Sequence, residues 1–146
     1  MFTRIDHVGI AVTDLDEAVA LYRDVYGFEV VHVGVVEEQG VREAMLRTNA
    51  TGDGACSYLQ LLEPTRADSP VGKFLAKNGP GLHHLAFGTA NIEAAAASVT
   101  EQGLRVLYPE PKAGSMGSRI TFVHPKDGAG VLVELVEPAQ VAAAAR

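Results

Sequence analysis

One stretch of this chain occurs twice. Ile5-Asp6-His7-Val8-Gly9-Ile10-Ala11-Val12-Thr13-Asp14 returns as Leu82-His83-His84-Leu85-Ala86-Phe87-Gly88-Thr89-Ala90-Asn91. A shift of 77 residues lays Ile5 on Leu82, His7 on His84 and Asp14 on Asn91. A second match closes each copy: Leu59-Gln60-Leu61-Leu62-Glu63-Pro64 lies over Val133-Glu134-Leu135-Val136-Glu137-Pro138 at a shift of 74. A repeat of this period constrains the fold before any single residue does, because each copy is one supersecondary unit. Each copy carries a histidine in its first strand and a Gln or Glu in its last. Two such modules face to face would gather His7, Gln60, His84 and Glu134.

The order of elements follows from local patterns. Residues 3–13 alternate as a strand, with Ile5, His7, Gly9 and Ala11 on one face. Asp14 caps a helix with Glu17 three residues on. Leu15, Ala18, Val19, Tyr22 and Val25 fall at helical spacing, and Gly27 is a natural stop. Val-rich Phe28 to Val36, Val41 to Arg47 and Ser57 to Leu62 read as strands. The turn between the last two is read at Asn49 to Gly54. Residues from Pro64 to Gly81 form a linker with a short helix, Ser69 as its cap and Pro70 at its first position. The second copy repeats the order: strand Leu82 to Thr89, an Asn91-capped helix to Gly103, then strands Arg105 to Tyr108, Arg119 to His124 and Val131 to Val136. The tail from Ala139 to Arg146 is either a frayed helix or disordered. The expected fold is α+β: two tandem β-α-β-β-β modules, about 3–64 and 82–138, joined by a linker of about 65–81 within one domain of 146 residues. Neither module is large enough to bury a core alone.

Composition removes several classes. A formal charge of −6, no Trp and no basic run argue against nucleic-acid binding. No apolar run approaches the ~20 residues that span a membrane. No charged leader with an apolar stretch opens the chain, so no secretory signal is read there and a cytoplasmic location is expected. The sole cysteine, Cys56, cannot pair internally; it reads as a small core residue rather than a nucleophile.

Two imidazoles, an amide oxygen and a carboxylate are a plausible first shell for one divalent ion. The mixture suits Co²⁺, Mn²⁺, Ni²⁺, Fe²⁺ or Zn²⁺ better than Ca²⁺. Two positions would remain open, and one anionic ligand leaves the site net positive, as a Lewis acid requires. A lone strand histidine is usually a hydrogen-bonded core residue. Here the four residues occupy matching repeat positions, and Glu134 lies between Val133 and Leu135, where an unpaired carboxylate is costly. His83 points to the other face of its strand and is left out, as are His32 and His124. Glu43, between Arg42 and Ala44, reads either as a solvated edge carboxylate or as a base. Its repeat partner is Gly117, so a base on one side would face a Gly-rich loop on the other.

These motifs resemble the vicinal oxygen chelate superfamily and, within it, the methylmalonyl-CoA epimerase family, over essentially the whole chain. The resemblance lies in Ile5-Asp6-His7-Val8, Gln39-Gly40-Val41-Arg42-Glu43, Gln60-Leu61, Gly81-Leu82-His83-His84, Pro109-Glu110-Pro111-Lys112, Arg119-Ile120, Phe122-Val123-His124-Pro125-Lys126 and Val133-Glu134-Leu135. It implies a curved mixed sheet around a metal cleft. The implied reaction is metal-dependent interconversion of (2R)- and (2S)-methylmalonyl-CoA through a metal-stabilised enolate. The metal, cobalt foremost, would be held by His7, Gln60, His84 and Glu134. Glu43 would serve one face of C2, and Glu134 is implied as the second acid/base, with water or a loop group as the alternatives. The acyl-CoA substrate would meet Lys112, Gly114, Ser115 and Arg119, the glycine-rich loop offering backbone N–H groups. Folds of this architecture commonly dimerise, so a homodimer is expected. Two alternatives share the fold: a glyoxalase I-type lyase and a non-catalytic protein that sequesters a ligand.

Overall fold

The structure is a computed structural model, and it describes residues 1–48 and 57–139. The Asn49 to Gly54 turn, Cys56 and the tail beyond Ala139 lie outside the described residues. Eight strands and three helices follow in order among these: β1 (Phe2–Ala11), α1 (Leu15–Ala20), β2 (Glu29–Val36), β3 (Val41–Arg47), β4 (Tyr58–Pro64), α2 (Pro70–Asn78), β5 (Gly81–Thr89), α3 (Ile92–Glu101), β6 (Lys112–Ala113), β7 (Arg119–Val123) and β8 (Val133–Glu137). The β-α-β-β-β order is present twice, as the repeat predicts. No helix of the described residues is long and apolar enough to cross a membrane.

The chain parts into two compact units, and the boundary cuts β1 between Asp6 and His7. In the unit spanning residues 7–83 the strand order is β2-β3-β4-β1. β1 runs parallel to β4, with Gly9 opposite Gln60 and Ala11 opposite Leu62. β3 is antiparallel to both β2 and β4. Strand alternation splits the side chains cleanly. Ala44, Leu46 and Leu61 pack with Val12 and Leu15 at the start of α1, backed by Val19, Tyr22 and Phe28. Glu43 and Gln60 take the opposite face of the same strands. The caps act as expected: Asp14 accepts from the Glu17 N–H at 3.0 Å, and Gly27 sits at φ +76°. The sequence does not announce that α1 continues as a π-helical turn, Leu21–Val25. Ser69 caps α2 by accepting from the Gly72 N–H at 3.1 Å, with Pro70 just inside the helix.

The other unit, from His84 onward with Met1–Asp6, orders its strands β5-β8-β7-β6. β5 is parallel to β8, with Ala86 opposite Glu134, and β7 is antiparallel to β8, with Phe122 opposite Glu134. α3 covers one face, its Ile92 and Ala95 clustering with Val123 of β7 and Leu135 of β8. Ala86, Ile120, Phe122 and Val136 form a second cluster on the other face.

One expected strand is not built. Arg105 to Tyr108 keeps a single bridge, Val106 to Val123. The Leu107 N–H still donates to the Phe122 carbonyl and the Arg105 carbonyl accepts from the His124 N–H, but the Arg105 N–H and guanidinium donate to Asp127, and Thr121 exchanges hydrogen bonds with the Tyr108 backbone. Pro109 and Pro111 cannot donate to a ladder. The short β6 strand pairs with β7 instead.

Candidate functional site

In the first unit the sheet face turned away from α1 carries His7, Gln60 and Glu43. All three are buried, Glu43 to 1% exposure. That burial removes the reading of Glu43 as a solvated edge carboxylate. Gln60 lies opposite Met45, and Glu43 opposite Leu62, so the two polar side chains are diagonal neighbours across β3 and β4. The Gln60 amide Nε2 donates to Glu43 Oε1 at 2.6 Å. This orientation leaves Gln60 Oε1 buried without a hydrogen-bond partner. Buried acceptors are nearly always satisfied, so the unpaired amide oxygen of Gln60 stands out in this face.

In the second unit His84 and Glu134 are both buried, with Nε2 of the histidine 3.1 Å from Oε2 of the carboxylate. The His84 ring meets Phe122 edge-on, at a centroid separation of 6.0 Å, which fixes the ring plane. His84 and Glu134 in this unit, and His7 in the other, are candidate metal ligands by residue type, and each is buried. Imidazole and carboxylate donors of this kind suit a borderline divalent ion. His83 packs instead on Phe74 at 5.0 Å. His124 accepts from the Lys126 N–H in a turn. Both were left out of the shell on sequence grounds, and they have these other contacts.

The four substrate-contact candidates are placed differently from one another. Lys112 stands over the Tyr108 ring at 4.3 Å. Gly114 packs so closely that an added Cβ would lie 2.6 Å from Ile120 Cγ2. Ser115 is buried, and its Oγ has no hydrogen-bond partner. Arg119 is engaged by two carboxylates, Glu93 and Glu137, the latter at 2.8 Å. The hydrogen bond donated to Glu93 is the main cause raising its guanidinium pKa.

His32, outside the ligand shell, stands beside Glu43. Its Nε2 lies 3.6 Å from Glu43 Oε2. No period-2 pattern reveals this, because the contact depends on an irregularity in β2.

Known proteins resemble the chain over most of its length. A model of the Glyoxalase/Bleomycin resistance protein/Dioxygenase superfamily matches residues 6–122. The mitochondrial methylmalonyl-CoA epimerase of Mus musculus is 40% identical over 133 residues, spanning 90% of this chain and 71% of its own. Among solved structures, a methylmalonyl-CoA epimerase in complex with methylmalonyl-CoA and NH4+ is 67% identical with a TM-score of 0.90, covering 97% of this chain and 98% of its own. A variant of the Streptomyces coelicolor methylmalonyl-CoA epimerase in complex with 2-nitronate-propionyl-CoA is 66% identical, also at 0.90, covering 95% and 99%. The chain therefore belongs to the glyoxalase/bleomycin resistance protein/dioxygenase superfamily and, within it, to the methylmalonyl-CoA epimerases, which are isomerases.

Proposed function

We propose that this chain interconverts (2R)- and (2S)-methylmalonyl-CoA by removing the C2 proton and returning one to the opposite face. The observation that carries the reading is the state of Glu43: a carboxylate 1% exposed, held through one oxygen by Gln60, on the sheet face it shares with His7. A carboxylate withdrawn from water at this cost has a partner to meet. The C2 proton of the substrate lies between a thioester carbonyl and a carboxylate, so the enolate left on its removal is spread over oxygen.

In this reading Glu43 exchanges the proton on one face and Glu134 on the other. His7, Gln60, His84 and Glu134 hold one divalent transition metal, cobalt first, with manganese, nickel, zinc and iron as alternatives. The unpaired Gln60 Oε1 supports the fit. When bound, such an ion supplies Lewis-acid stabilisation of charge on substrate oxygens. Gln60 then has two tasks, since its oxygen serves the ion while its N–H holds the base. The buried Ser115 Oγ, with the Gly114 backbone, Lys112 and Arg119, is proposed to receive the acyl-CoA. The chain acts as a single domain, as a homodimer in the cytoplasm.

The test is a stereochemical assay of metal-loaded protein on (2S)-methylmalonyl-CoA, with a glutathione hemithioacetal in parallel. Conversion of the first and not the second is expected. The reverse result would move the chain to the glyoxalase class, and binding of either without turnover would make it a sequestering protein.

A further inference from the structure

Glu43 has two carboxylate oxygens, and Gln60 engages only one. The other, Oε2, lies 3.6 Å from Nε2 of His32, whose side chain is 34% exposed. That separation is longer than a hydrogen bond, so the ring stands beside the oxygen. Three features of β2 build the approach. A register shift between Val30 and His32 inserts one extra residue into the strand. Val30 pairs with Leu46, yet His32 pairs with Met45. Without the extra residue His32 would oppose Ala44 and point to the α1 side; with it, His32 joins the face of Met45 and Glu43. His32 and Gln60 thus both oppose Met45, one on each neighbouring strand, and flank Glu43 diagonally. Finally, Gly34 lies opposite Glu43, and a Cβ there would come within 3.0 Å of His32 Nε2. The missing side chain is what lets the ring lie against this part of the strand.

We propose that His32 is a positioning residue for Glu43. The ring closes on Oε2 while Gln60 holds Oε1, so that the carboxylate plane is fixed at both oxygens. A carboxylate held at one oxygen still turns about its last side-chain bond, and a misplaced base loses rate steeply. The bulge and Gly34 are the devices that deliver the ring to its place. The inference rests on the reading of Glu43 as the base.

The test uses metal-replete full-length protein and steady-state kinetics on methylmalonyl-CoA. His32→Phe keeps a ring and removes the polar edge; kcat should fall by about 10-fold or more with KM little changed, the mark of a group that acts on the reacting step. His32→Gln restores an N–H donor and should recover most of the loss. Gly34→Ala leaves the histidine in place but pushes its ring away, and should reproduce the lower kcat. The loss from Gly34→Ala should add nothing in a His32→Phe background, because both changes remove one contact. Wild-type kcat in His32→Phe, a change confined to KM, or full additivity of the two substitutions would overturn the proposal. Glu43→Gln is assayed alongside. Normal turnover there removes the base and His32's role with it, whereas an inactive Glu43→Gln beside an unaffected His32→Phe overturns the inference alone.

Discussion

The side-chain amide of Gln60 donates to Glu43 Oε1 at 2.6 Å, and its own oxygen is left buried and unpaired. One residue therefore joins the proposed ligand shell to the proposed base. Gln60→Ala should lower metal occupancy and kcat together, since it removes a ligand atom and frees the base. Metal content by mass spectrometry and turnover on the same preparation check this. Loss of turnover at unchanged metal affinity would confine Gln60 to holding Glu43.

Removal of the ion is the second prediction. Chelation should abolish activity, and Co²⁺ or Mn²⁺ should restore it. His7→Ala and His84→Ala should each lower metal affinity by about 10-fold or more, as loss of a ligand does when loss of even an outer-shell partner costs 10–100-fold. Equilibrium dialysis measures the affinity directly. Full activity in rigorously metal-free protein would remove the Lewis acid from the account.

The Arg105–Asp127 clamp gives a prediction about stability and pH. The hydrogen bond from the Arg105 side chain, then that from its backbone N–H, lowers the Asp127 carboxyl from 3.8 to about 2. A depressed folded-state pKa contributes stability that is present above the unfolded value and lost as pH falls through the folded one. Asp127→Asn should therefore lower the melting temperature at neutral pH. The deficit should shrink between pH of about 4 and about 2. Thermal unfolding of both proteins across that range checks the sign; a deficit that grows on acidification would contradict the assignment.

Much of this was legible in the chain. The doubled strand motif located His7, Gln60, His84 and Glu134, because a repeat marks equivalent positions whatever the loops between them do. Helix starts at Asp14, Ser69 and Asn91 were legible because a short polar side chain before an apolar run has one local use: accepting from a free N–H, here those of Glu17, Gly72 and Ala94. The Arg105 to Tyr108 segment alternates as a strand does, but it keeps only one bridge to β7 because the Arg105 N–H goes to the Asp127 side chain and the Tyr108 N–H to the Thr121 hydroxyl. Glu43 stays open between a solvated carboxylate and a base in the sequence, because alternation gives two faces without saying that the one turned away from α1 is buried as well. The approach of His32 to Glu43 is not legible in the sequence, because a one-residue bulge reverses the face on which a side chain falls and neither Val31 nor its neighbours announce it.

The most direct measurement is C2 exchange in D₂O, followed by proton NMR on methylmalonyl-CoA, for wild type and Glu43→Gln with metal content determined for both. The substitution preserves size and most hydrogen bonding and removes the base. The account predicts that Glu43→Gln keeps its metal and loses turnover by ~10²–10⁴-fold. The only C2 exchange left should be slow, from one enantiomer and with retention, through Glu134. Normal exchange and epimerisation in metal-replete Glu43→Gln would contradict it.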